Sequence, residues 1–451
     1  MLTSAPTPWL LRWQGLLAAG PAGAIGRQLP LISGAVLMAL LAWLPQVSRG
    51  GLSLLIAACA LLWVLWALRT PPGRIGPINL ALLAVLAVSV VATGFSPVPV
   101  AAAKGLFKLT SYLGVYALMR QLLAESPRWW DRLTAALLAG ELLTSVIGIR
   151  QLYADASQLA RWSDNNSVAA GTVRIYSSLD NPNLLGGYLL PILPLAVVAL
   201  LRWRERPRRL FALCSLVLGI VALVLTYSRG AWMGMVASLG VLALLLAGRA
   251  SRHWPAFWRR TLPLLLLGGA LALVVLVTQV EPLRVRVMSL VAGREDSSNN
   301  FRINVWTSVL AMIQDRPLFG IGPGNTAFNL IYPLYQQPKF NALSAYSIPL
   351  ELLVEAGVPG LLAGLAVLIT AVRTGLRLGR GEGSLALPAL AAVAVFAGLA
   401  VQGLTDTIFF RPEVQLVALF SLATLAAAAQ RLEPPRPIAE LDGAEGSGLR
   451  G

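Results

Sequence analysis

Long apolar runs alternate with polar connections along nearly the whole chain. A membrane-spanning helix needs roughly 20 apolar residues. Twelve segments qualify: 28–46, 51–68, 78–95, 102–122, 133–153, 183–201, 210–227, 230–247, 261–280, 347–370, 384–404 and 413–430. The connections fall into two sets. One set is short and rich in arginine: Arg69 and Arg74; Arg120, Arg128 and Arg132; RWRERPRR at 202–209; GRASRHWPAFWRR at 248–260; Arg373, Arg377 and Arg380. The positive-inside bias places these on the cytoplasmic side. The other set contains the two long polar loops, 154–182 and 281–346, which then face the extracytoplasmic space. An even number of spans returns both termini to the cytoplasm.

This pattern predicts an all-α fold: a polytopic bundle of about twelve transmembrane helices in the inner (plasma) membrane. Residues 1–430 form a single integral membrane domain, with the large extracytoplasmic loop between the ninth and tenth spans. Residues 431–451 are expected to be a disordered cytoplasmic tail, because the stretch from Glu433 is rich in Pro, Gly and Glu. The N-terminal stretch lacks the basic start of a cleaved signal peptide and suits a short interfacial helix. No matched pair of Gly/Pro-broken spans marks an inverted-repeat transporter.

Composition sharpens this picture. The 451-residue chain is 57% apolar and only 12% charged, whereas a soluble protein carries about 25% charged residues. The net charge of +16 would suggest nucleic acid in a soluble protein. Here the arginine-rich loops account for it, and no nucleic-acid partner is implied. Cys59 and Cys214 both lie in apolar runs and read as small buried hydrophobes. No cofactor-binding or metal-ligating pattern is present. GIGPGN at 320–325 lacks the Lys and Ser/Thr of a phosphate loop, so its glycines read as a tight structural turn.

Polar chemistry collects in four places. Asp180-Asn181-Pro182-Asn183 precedes the sixth apolar run and reads as a helix cap. TYSRGAWMG, 226–234, puts Arg229 in a tight turn on the side where arginine is disfavoured; it either snorkels to the interface or meets an anion. In the large loop, Val305, Trp306, Val309, Leu310 and Ile313 recur with helical spacing. They predict a helix that Arg302 starts and Asp315-Arg316-Pro317 ends. In NALSAYSIPLELLVEAGVPG, 341–360, Glu351 and Glu355 sit four residues apart in an apolar run. Arg174, Arg229 and Arg302, with Arg150 and Arg161 as further candidates, fall on one membrane face. Guanidiniums stay charged and match phosphate or carboxylate in a fork geometry, so they form a candidate anion site. Glu351 and Glu355 are candidate counter-ions or bases. Glu141 is a mid-span carboxylate in the fifth run.

SLDNPNLLGGYL, TYSRGAWMG, FRINVWTSVLAMIQDRPLFGIGPGN and SIPLELLVEAGVPG together resemble the O-antigen ligase/polymerase superfamily of membrane proteins. The resemblance spans roughly residues 174–360. It implies transfer of glycan from a polyprenyl-diphosphate carrier at the extracytoplasmic face, with Arg174, Arg229 and Arg302 binding the diphosphate without a metal ion. Residues 316–360 look most like the IctB family, for which the resemblance implies bicarbonate accumulation. Ligases of the superfamily carry a histidine at the head of the helix after the large loop; aligning on LLVEAG places Tyr346 there. The chain's one histidine, His253, lies in a basic loop on the opposite side. A tyrosine with a pKa of about 10 is a poor base at neutral pH. Two functions are therefore expected. One is IctB-like handling of bicarbonate or another small oxyanion. The alternative is a metal-independent transferase of lipid-linked glycan that uses Tyr346, Glu351 and Glu355 in place of the histidine. In either case membrane lipid is a partner.

Overall fold

The computed structural model describes residues 20–69, 75–153, 174–251 and 293–432, with isolated positions between 252 and 292. Arg161, His253, most of the 261–280 segment and the tail from Glu433 lie outside the described residues. Fourteen α-helices are described: α1 Gly20–Trp43, α2 Arg49–Arg69, α3 Pro77–Gly94, α4 Pro99–Glu125, α5 Arg128–Arg150, α6 Pro182–Leu189, α7 Ile192–Arg202, α8 Arg206–Leu225, α9 Arg229–Ala250, α10 Ser297–Asp315, α11 Asn325–Ile331, α12 Ile348–Gly379, α13 Ala386–Gly403 and α14 Pro412–Leu432. Among the described residues there is no strand. Among the described residues, nine helical segments, with α6 and α7 taken as one, are long and apolar enough to cross a membrane. The protein is thus an all-helical, multi-pass membrane protein. Eleven of the twelve apolar runs coincide with described helices. The sixth run is split at Leu190-Pro191, and α14 continues to Leu432, past the expected start of the tail.

Burial sorts the helices into a centre and a rim. The α6–α7 segment, α13 and α14 are 83%, 78% and 78% buried, whereas α2, α3, α8, α9 and α12 are only 22–28% buried. Lipid cannot drive apolar helices together by the hydrophobic effect, so close approach depends on small residues. α13 is rich in alanine, and its Gly398 meets Gly234 of α9 so closely that a Cβ on either would press on the other's carbonyl oxygen. Cys59 is buried as expected, but Cys214 is exposed, because it lies on the outward side of the rim helix α8.

Contacts among connections gather the α3–α4 turn, the start of α6, the α8–α9 turn, the start of α12 and the α13–α14 turn at one end of the bundle: Ser96 bonds to Ile321, Arg174 to both Thr226 and Asn183, Arg302 to Thr405, and Gly403 lies against Ile348. The arginine-rich connections at 202–209 and 373–380 lie at the other end. A second, smaller core of Val305, Val309, Met312, Ile321, Phe328, Tyr332, Ala342, Ala345 and Val354 holds α10, α11 and the chain leading to α12 together as a cap over the first end.

Candidate functional site

The cap is fastened to the bundle where α12 breaks. Pro359 has no N–H to give the Glu355 carbonyl one turn back, and Ala356 and Gly357 leave helical geometry, Gly357 at φ +64°. The freed carbonyls of Val354 and Glu355 accept N–H bonds from Ile321 at 2.8 Å and Gly322 at 2.9 Å. The Val358 N–H donates to the Pro317 carbonyl at 2.8 Å. A Cβ on Gly357 would overlap the Pro317 and Leu318 backbone, so only glycine fits. GIGPGN is the turn that docks here, with Gly320, Gly322 and Gly324 all at positive φ. Ser96 Oγ donates to the Ile321 carbonyl at 2.5 Å and ties the same turn to the α3–α4 connection.

Glu351 and Glu355 belong to this fastening. Glu355 Oε1 accepts the Gly324 N–H at 2.7 Å, and Glu351 Oε2 accepts the Ala345 N–H at 2.6 Å. Their i, i+4 spacing puts both on the face of α12 that receives the cap. The expectation that they are counter-ions of the arginine cluster is corrected: the acidic partners of Arg229 and Arg302 are Asp296 and Asp406.

Arg229 is the first residue of α9. Its guanidinium pairs with Asp296 at 2.8 Å, with Arg229 only 7% and Asp296 0% exposed. Asp296 also accepts the Asn299 N–H at 3.0 Å and so caps α10, which begins at Ser297 rather than at Arg302. One carboxylate therefore anchors both the α9 arginine and the helix that carries Arg302. Arg302 donates through Nε to the Thr405 carbonyl and through Nη1 to Ser298 Oγ, both at 2.8 Å, and lies 4.0 Å from Asp406. Arg174 donates to the Thr226 carbonyl at 2.8 Å and to Asn183 Oδ1 at 2.7 Å. Asn181 caps α6, accepting the N–H groups of Asn183 and Leu184, as the sequence suggests.

Shared charges link the three arginines: Arg229 and Arg302 bear on each other, and Arg302 and Arg174 both bear on Asp406. Burial pushes the Asp406 carboxyl above the usual range, while Arg302 and the Thr407 and Ile408 N–H groups pull it back. Burial works first against the charge on Arg302, which the neighbouring Asp406 supports. Arg150 ends α5 on an exposed position. The arrangement is a largely buried polar cluster of guanidiniums that the backbone and two aspartates hold in place, and guanidiniums suit an oxyanion.

Tyr346 sits at the edge of this cluster, two residues before α12, at φ +50° and with its ring edge-on to Phe301 at 5.4 Å. Burial and then the charge of Asp406 push its phenol above its ordinary value. At neutral pH it is a hydrogen-bond donor, not a base. Glu141 is buried within α5 and is held by the Ser145 and Ser215 hydroxyls. Asp296 and Asp406 were not anticipated: Asp296 stands in the polar run REDSSNN and Asp406 in a short turn between two spans, and neither context looks different from solvent.

No curated protein matches the chain. Residues 214–365 match the family model described as O-Antigen ligase. The matched stretch runs from α8 into α12 and carries Arg229, Asp296, Arg302, Tyr346, Glu351 and Glu355; Arg174 and Asp406 fall outside it. Through that segment, set in an all-helical multi-pass bundle, the chain is similar to O-antigen ligases.

Proposed function

We propose that the protein transfers a glycan from a polyprenyl-diphosphate carrier to an acceptor hydroxyl at the capped end of the bundle, on the extracytoplasmic side. The observation that carries this reading is the convergence of Arg174, Arg229 and Arg302, from three distant parts of the sequence, on one buried cluster. In such a transfer the acceptor oxygen attacks the anomeric carbon, and the bond from that carbon to the diphosphate breaks. The diphosphate leaves with an extra negative charge. Preorganised guanidiniums in a water-poor pocket stabilise charge where it develops. The cap keeps water from taking the acceptor's place. Tyr346, at the position where related ligases carry histidine, is assigned the role of a hydrogen-bond donor to the diphosphate or sugar. Glu351 and Glu355 are assigned the role of holding the cap on α12.

The match to O-antigen ligases supports this reading better than the bicarbonate one. Deleting the gene and profiling surface glycans and polyprenyl-linked intermediates tests it. The expected result is loss or shortening of a surface glycan with accumulation of its lipid-linked precursor. An unchanged profile of both overturns the proposal.

A further inference from the structure

Among the described residues, the oxygen of Asp296 that does not face Arg229 has no hydrogen-bond partner. Oδ1 takes the Arg229 guanidinium and the Asn299 N–H, whereas Oδ2 is buried without any hydrogen-bond donor among the described residues. Leaving a buried carboxylate oxygen bare is costly, and buried polar atoms are nearly always satisfied. A carboxylate oxygen lacking a donor is complementary to a hydroxyl, which can donate to it.

We propose that Asp296 is the catalytic residue that binds the acceptor's hydroxyl and takes its proton. This rests on the transferase reading above and answers the missing histidine: the base comes from the start of the cap helix, not from the head of α12. The acceptor O–H donates to Oδ2. As the new bond from the anomeric carbon to the acceptor oxygen forms, the proton passes to Oδ2. The bond to the diphosphate breaks, and its electron pair leaves with the polyprenyl diphosphate. Asp296 then returns its proton to water when the product leaves. Arg229 and the Asn299 N–H hold the carboxylate in place through Oδ1, which leaves Oδ2 for the acceptor.

The test uses the full-length protein in vesicles, with lipid-linked glycan extracted from the source cells' membranes as donor and undecaprenyl diphosphate as binding probe. Asp296→Asn keeps the helix cap, since asparagine caps as well as aspartate, and Asp296→Ser is a second variant that also caps. The proposal expects transfer to fall roughly a hundredfold or more in both, the range for loss of a general base, while undecaprenyl diphosphate affinity changes less than about threefold. Transfer within tenfold of wild type overturns it. So does a loss of transfer matched by an equal loss of undecaprenyl diphosphate binding, because Asp296 would then only be holding Arg229. Wild-type protein that neither transfers glycan nor binds the probe overturns the transferase reading itself, a separate outcome.

Discussion

Replacing Arg229 by alanine leaves the Asp296 carboxylate buried without its cation. The pair is 2.8 Å apart and nearly solvent-free, with exposures of 7% and 0%. Breaking a buried pair from one side costs about 3–5 kcal/mol, whereas removing both partners is often close to neutral. Arg229→Ala should therefore be destabilised by about that amount. Arg229→Ala combined with Asp296→Ser should recover most of the loss, because serine still caps α10 and leaves no bare charge. The assay is reversible unfolding in mixed micelles with increasing dodecyl sulfate, run alongside glycan transfer. Both variants are expected to be inactive, and only the single one unstable. A double variant no more stable than the single one would refute the claim that this pair holds α9 to the cap. An active single variant would show that Arg229 lies outside the site.

Other expectations follow from the same contacts. Gly357→Ala puts a Cβ into the Pro317-Leu318 backbone at a positive φ and should cost about 1–3 kcal/mol, read by the same unfolding assay. Asn181→Ala removes the α6 cap and should cost about 1 kcal/mol, with transfer reduced because Asn183 and Arg174 are bonded to each other just beyond it. Burial raises the Asp406 pKa in the folded protein, so Asp406 contributes stability that is present below its unfolded pKa of about 3.9 and is lost as pH rises through the raised value. Wild type should then be more stable in mild acid than at neutral pH on account of this group. Asp406→Asn should remove that difference while lowering transfer, since Arg302 loses its anion; unfolding and transfer measured at several pH values check both.

The spans were the most legible feature, because twenty apolar residues have few alternatives to crossing a bilayer. The cap was legible in part. The spacing of Val305, Trp306 and Val309 gave a helix its middle but not its start, which depends on Asp296 capping a stretch that reads as solvated. Glu351 and Glu355 stood out by spacing alone. Spacing shows that two residues share a helix face; it does not show what lies opposite. Their partners are backbone N–H groups of a loop that docks only because Pro359 and Gly357 open the helix, a tertiary consequence of a local break. The three arginines could be gathered on one face from topology, but their aspartate partners come from a polar run and a short turn, and only the fold distinguishes these from ordinary surface.

The most direct test of the central claim is reconstitution of the purified chain alone in sealed vesicles. Polyprenyl-diphosphate-linked glycan from the source cells is supplied with an acceptor lipid, and labelled bicarbonate is supplied in a parallel set. The account predicts glycan-bearing acceptor and released polyprenyl diphosphate, both lost in Arg302→Ala, with bicarbonate uptake equal to that of empty vesicles. Bicarbonate accumulation above empty vesicles, with no glycan transferred, would contradict it.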